Sequence, residues 1–169
     1  MRIDLEVGSL IETMAARLKA FLKERGRGKP LIIGIHTGGV WVARELHRLL
    51  KSKEPLGELN IAFYRDDFSR IGIHPTVTPS HLPVPVANRH LILVDDILYT
   101  GRTVRAAMNE IFDYGRPASI TLAVLVDRGE HELPIHADVA GTSLSLDSGE
   151  HVKLTGPTHL TLERSKVPV

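Results

Sequence analysis

The sequence predicts an α/β fold, a mostly parallel sheet with helices on both faces, and three observations predict it. Segments with apolar residues at three- and four-residue steps alternate with short apolar runs, the pattern of βαβ units. Two of those runs, Leu31–Ile35 and Leu91–Val94, have almost no polar member, as befits strands covered on both sides. The chain has 169 residues, 43% of them apolar and 24% charged, which suits one domain with a full core. A single domain over 1–169 is expected.

The elements follow in order. Val7, Leu10, Ile11, Met14, Leu18, Phe21 and Leu22 mark an amphipathic first helix, with Ser9 and Glu12 spaced as a capping box. Gly26, Gly28 and Pro30 stop it. The strand Leu31–Ile35 leads through the turn His36–Gly39 into a second helix marked by Val40, Val42, Ala43, Leu46, Leu49 and Leu50. A strand is expected over Leu59–Tyr64. The stretch 65–89 carries Pro75, Pro79, Pro83 and Pro85, which exclude a helix and confine any strand to an edge. A loop this long inside a compact domain is usually functional, and we read it as a lid. The strand 90–94, a helix from Arg102 to Phe112 closed by Gly115 and Pro117, and the strand Ser119–Val126 come next. Shorter strands are expected near Ala137–Ala140, Val152–Leu154 and His159–Leu162.

Composition removes several function classes. There is no cysteine, hence no disulfide framework and no thiolate metal site. Nine histidines are scattered without helical ligand spacing, so no protein-built metal site is expected. With 21 basic and 20 acidic residues the molecule has no general pull on polyanions, and any anion site is local. The N-terminus has no apolar h-region and the chain no long apolar run; a cytoplasmic protein without membrane contact is the expectation.

The chemistry concentrates in Leu91–Val94 followed by Asp95, Asp96, Ile97, Leu98, Tyr99, Thr100, Gly101, Arg102 and Thr103. Ligands of open α/β sheets bind beyond the carboxyl ends of strands, and a helix N-terminus offers N–H groups and a positive dipole end to phosphate. Thr100 and Thr103 add hydroxyls, Gly101 permits close approach, and Arg102 adds charge. Two carboxylates beside such a nest suit the diol of a phosphorylated ribose. A strand end with surface aspartates before a capped helix accounts for the same residues.

This stretch resembles the phosphoribosyl-diphosphate signature of type I phosphoribosyltransferases. It is closest to the branch of bifunctional pyrimidine operon regulators that are also uracil phosphoribosyltransferases. Tyr64–Arg70, Phe112–Ile120 and Leu122–Asp138 resemble that branch too. The resemblance implies a type I phosphoribosyltransferase fold with a flexible lid (65–89) and a small hood (126–155). It implies that Asp95 and Asp96 hold the ribose hydroxyls, that Thr100, Gly101, Arg102 and Thr103 wrap the 5′-phosphate, and that Ile97, Leu98 and Tyr99 shape the loop. Thr37 and Gly38 fall in the diphosphate loop, Arg65 and His74 in the lid, Arg128 in the base-binding hood, and Val152 beside the base. Asp95, Asp96 and Arg128 are the implied catalytic set. Relatives commonly carry Arg where this chain has Gly38, so a diphosphate cation is missing there; His36 and Arg70 are candidates to replace it.

The implied reaction joins uracil to phosphoribosyl diphosphate, giving UMP and diphosphate, with Mg²⁺ bound mainly through substrate. The other reading is a nucleotide-sensing regulator that binds pyrimidine-leader RNA, with weak or no catalysis. RNA binding needs a basic surface; here the first helix offers Arg17, Lys19, Lys23 and Arg25, and the later segment His131, His136 and His151. The resemblance also implies a homo-oligomer. The base is not given by periodicity, and hypoxanthine, guanine and orotate stay open.

Overall fold

A computed structural model describes residues 5–61 and 80–167. Helix α1 (Val7–Arg25) is followed by β1 (Leu31–Ile35), α2 (Gly38–Leu49) and β2 (Gly57–Leu59). Then come β3 (His90–Leu98), α3 (Arg102–Tyr114), β4 (Ser119–Asp127), β5 (Val139–Ser143), β6 (Glu150–Thr155) and β7 (Thr161–Lys166). Five strands form one sheet in the order β2-β1-β3-β4-β5, all parallel, and β6 and β7 form a separate antiparallel hairpin. Among the described residues no helix is long and apolar enough to cross a membrane.

The core lies on both faces of the sheet, which is why its central strands read as unbroken apolar runs. On one face Ile32, Ile92, Val94, Ala123 and Leu125 pack with α1 (Ile11, Met14, Leu18), α2 (Val42, Ala43, Leu46) and the hairpin residues Val152, Leu154 and Leu162. On the other, Ile33, Leu91, Leu93, Leu122 and Val124 meet Val104, Ala107 and Ile111 of α3.

Several boundaries differ from the sequence reading. The expected capping box does not form: α1 starts at Val7 with Glu6 as N-cap, and the Ser9 hydroxyl donates to the Glu6 carboxylate at 2.9 Å. The second strand is Gly57–Leu59 rather than Leu59–Tyr64. It ends early because the Asn60 N–H goes to Ser80 Oγ at 2.9 Å instead of to the sheet; residues 62–64 lie outside the described residues. β3 runs four residues past Val94, since β4 keeps pairing with it through Ile97↔Val126 and Leu98↔Asp127. β5 starts two residues later than expected, where pairing with Ala123 begins.

The last ten residues of the expected lid are part of the scaffold. His81 exchanges backbone hydrogen bonds with Glu58 at 2.7 and 2.8 Å, Val86 is buried, and Leu82 and Val84 pack on the core below. The rest of that expectation, 65–79, falls outside the described residues. Where the chain returns, Ser80 Oγ donates to Glu110 of α3, and Glu110 Oε2 is buried without a partner among the described residues.

Burial raises the Glu110 carboxyl above the ordinary carboxylate range, the Ser80 hydrogen bond opposes that, and the Asp113 charge adds to it. A group raised in the folded state favours folding below its unfolded pKa and loses that contribution as pH rises through the folded value. Glu110→Gln removes the titration. Urea midpoints taken at pH 5 and pH 8 should show the variant gaining on the parent protein at the higher pH; an unchanged difference would contradict the assignment.

Candidate active site

The strand order sets where a ligand can bind. After β1 the chain moves outward to β2, then returns to lay β3 on the opposite side of β1. Such a reversal opens a crevice between the carboxyl ends of the two strands, the ligand site of this doubly wound order. The two loops singled out from the sequence, 36–39 after β1 and 95–103 at the end of β3, flank that crevice.

On the β1 side, Thr37 is the N-cap of α2 and Gly38 its first residue. The approach to β3 is close enough to require glycine. A Cβ on Gly39 would lie 2.6 Å from the Val94 carbonyl oxygen, and one on Gly38 2.1 Å from Asp96 Oδ2. The Asp96 carboxylate therefore occupies the space beside Gly38 where a larger residue's side chain would begin. His36, one candidate for the missing cation, contacts Glu58 of β2 at 2.9 Å; Arg70, the other, lies outside the described residues.

On the β3 side, the acidic pair sits inside the strand rather than after it. Leu91, Leu93 and Leu98 face one core cluster, and Ile92, Val94 and Ile97 face the other, so the alternation of faces slips by one residue between Val94 and Ile97. The slip is bridged by the carboxylates themselves. Asp96 N–H donates to Asp95 Oδ1 at 2.9 Å and Ile97 N–H to Asp96 Oδ1 at 2.8 Å. Asp95 is 5% exposed and Asp96 half-buried. Leu98 is buried core, and what it adds to the loop is its carbonyl, which accepts from Arg128 N–H at 3.0 Å.

Tyr99, Thr100 and Gly101 form the turn into α3. Gly101 is left-handed (φ 95°), a conformation that favours glycine. Thr100 Oγ1 accepts from Arg102 N–H at 3.2 Å. Arg102 and Thr103 open the helix, so the first turn's N–H groups and positive end face the loop, as an anion requires. The Arg102 guanidinium bonds Glu132 Oε2 at 3.0 and 3.2 Å.

The segment after β4 clasps this loop. Glu132 and Leu133 N–H groups both donate to the Thr100 carbonyl, at 2.9 and 3.1 Å. Arg128 lies with its guanidinium carbon 3.7 Å from the centre of the Tyr99 ring. Its side chain is only 9% exposed while Tyr99 is 41% exposed; the stack offers a flat surface at the mouth of the crevice. Arg128 Nη2 reaches the Glu150 carbonyl at 3.5 Å, tying the hairpin to the loop. Asp127 accepts from Gly129 N–H and contacts His131 Nε2, both at 2.9 Å.

The structure thus gathers Thr37, Gly38, Asp95, Asp96, Ile97, Tyr99, Thr100, Gly101, Arg102, Thr103 and Arg128 around one crevice. Val152 is a core residue of the hairpin, in the same cluster of α1 and α2 against which Ile97 packs. Arg65 and His74 lie outside the described residues. Sequence reading missed Glu132, the partner of Arg102, and Glu58, the partner of His36. Each pair joins residues more than twenty positions apart and leaves no local signature.

Comparison with known proteins agrees with this fold. The family described as phosphoribosyl transferase domain matches residues 5–156. A protein named "Bifunctional protein PyrR" from Nitrosococcus oceani is 61% identical over 160 residues, 94% of this chain and 90% of that protein. One of the same name from Pseudomonas aeruginosa is 57% identical over 155 residues, 92% and 91% of the two chains. Among solved structures, a purine phosphoribosyltransferase from Pyrococcus horikoshii superposes with a TM-score of 0.61 at 25% identity, covering 82% of each chain. A hypoxanthine phosphoribosyltransferase of Trypanosoma cruzi reaches 0.64 at 19% identity over 85% of this chain and 82% of its own. With a matching family over most of its length and relatives alike over more than nine-tenths of it, the chain belongs to the phosphoribosyl transferase domain family.

Proposed function

We propose that this protein is a uracil phosphoribosyltransferase that converts uracil and phosphoribosyl diphosphate to UMP and diphosphate. The observation that carries the reading is the crevice at the β1/β3 reversal, where an acidic pair and a helix N-terminus stand side by side. Asp95 and Asp96 accept the ribose hydroxyls, and the first turn of α3 with Thr100 and Thr103 holds the 5′-phosphate. The 36–39 loop, brought against β3 by its two glycines, receives the diphosphate. Arg128, with Tyr99 beneath it, borders the base; Arg65 and His74 complete the set from outside the described residues. Uracil N1 forms the bond to C1′ as the C1′–oxygen bond to diphosphate breaks, through a transition state of oxocarbenium character, and the N1 proton passes to water or to the departing diphosphate. The residues supply position and preorganised charge.

The donor set suits Mg²⁺ delivered with the substrate. Among the described residues no three His, Asp or Glu side chains converge as a metal cage. Two carboxylates at the crevice match an ion that keeps most of its ligands from phosphate and water. When bound, Mg²⁺ supplies charge that neutralises the leaving diphosphate. The uracil assignment draws its support from the relatives alike over more than nine-tenths of the chain, since the superposed purine enzymes speak to fold.

The test is incubation with phosphoribosyl diphosphate, Mg²⁺ and each of labelled uracil, hypoxanthine, guanine and orotate. Uracil alone should yield nucleotide at a substantial rate; preference for another base would overturn the uracil assignment and keep the phosphoribosyl site. The relatives' name, bifunctional, supports a second activity, which we read as binding of pyrimidine-leader RNA, and the reading includes a homo-oligomer. Two cations expected to serve RNA are engaged internally: Arg17 donates to the Ala140 carbonyl at 2.6 Å, and Arg25 lies over Phe21.

A further inference from the structure

At the pole opposite the crevice, where the strands begin, the ends of α1 and α2 enclose a cleft of ≈ 820 Å³. Its floor is apolar, with Leu22, Pro30, Ile32 and Leu50, and its lining includes Lys19, Lys23, Arg27, Lys29, Lys51 and Lys53. Arg27 is anchored, donating to Thr121 Oγ1 at 2.8 Å and lying over Phe21. Among the described residues none of the five lysines has a carboxylate within ion-pair distance. Among the described residues the one acid lining the cleft, Glu54, is bound to Arg89 at 2.9 Å.

Cations near helix C-termini are ordinary, because each dipole end carries about half a negative charge. Two helix ends therefore offset roughly one of these lysines. The excess is local, in a chain whose net charge is only +1, and it surrounds a recess rather than a flat face. Lysines 19 and 23 stand one turn apart on the same side of α1, and Lys51 and Lys53 reach the cleft from the connection after α2. A concave, apolar-floored cleft of this volume is the shape of a small-molecule site, and a rim of unpaired ammonium groups selects a polyanion. An extended nucleic-acid strand would use a longer track with free aromatic rings to stack on. Here the lining includes no aromatic ring among the described residues, and Phe21 of α1 is covered by Arg25 and Arg27.

We propose that this cleft is a second ligand site, distinct from the crevice, which takes a nucleoside polyphosphate with its base on the apolar floor and its phosphates among the lysines. Nothing in the proposal depends on which base the crevice uses.

Photolabelling of the full-length protein with 8-azido-ATP, followed by peptide mapping, tests it. Label is expected on peptides within 19–32 or 50–54, with competition by excess ATP. The charge-reversing pair K23E/K51E alters exposed residues outside the crevice, so basal phosphoribosyl transfer should be unchanged. The same pair should reduce labelling roughly tenfold, and raising salt should weaken labelling of the parent protein. Label confined to the crevice, or unaffected by K23E/K51E, would overturn the proposal. So would competition by tripolyphosphate as strong as by ATP, which would show the apolar floor unused. Loss of binding to a mixed-sequence single-stranded RNA in K23E/K51E with ATP labelling intact would also overturn it, in favour of a phosphodiester surface.

Discussion

Asp95→Asn and Asp96→Asn should each lower kcat/KM for phosphoribosyl diphosphate by roughly 10–150-fold, the value of a hydrogen bond to a charged group, about 1.5–3 kcal/mol. The substitution is clean because asparagine keeps an oxygen for the backbone. Asp95 Oδ1 and Asp96 Oδ1 each accept the N–H of the following residue, and an amide oxygen in the same place preserves the slipped strand. What is lost is charge. Thermal midpoints near that of the parent protein together with the kinetic loss would assign these carboxylates to the ligand. Full activity in both variants would remove the ribose assignment.

Gly39→Ala is expected to act as strongly by another route. Its new methyl would stand 2.6 Å from the Val94 carbonyl oxygen and 3.1 Å from the Asp95 Cα, both backbone atoms of a central strand that pairs on either side. Neither can swing away, so the start of α2 must retreat from β3. A displacement of about 1 Å in a positioning loop costs on the order of 100-fold in rate, and overpacking of this kind about 1–3 kcal/mol in stability. The measurement is kcat/KM alongside a urea titration. A folded variant with unimpaired kcat/KM would show that the 36–39 loop does not touch the reacting diphosphate.

How far the sequence reveals this molecule depends on whether a feature is local. Leu31–Ile35 and Ser119–Val126 were legible as strands because burial on both faces leaves an unmistakable apolar run. Asp95 and Asp96 looked like a strand's end because a carboxylate is a poor central-strand residue; only the apolar run Val124–Val126 beside them keeps the pairing going. β2 was misplaced because Ile61 and Ala62 read as strand, while the hydrogen bond that ends it comes from Ser80, twenty positions away. The site divides the same way. The run Asp95–Thr103 announces itself as one contiguous signature. The Arg102–Glu132 pair and the Arg128–Tyr99 stack exist only once the segment after β4 has folded back over the β3–α3 turn.

The Ser80 hydroxyl bears on how the protein can change. It joins the strand side at Asn60 to the helix side at Glu110, so the chain that departs after Asn60 comes back to the point it left. Closing a tether of n residues costs free energy that grows only with the logarithm of n, about 0.6 kcal/mol per doubling. The length between those anchors is therefore nearly neutral for folding. Excising 62–79 in favour of a short glycine-serine bridge should leave a well-folded sheet lacking Arg65 and His74. Such a protein would be an inert scaffold onto which other sequences could be spliced.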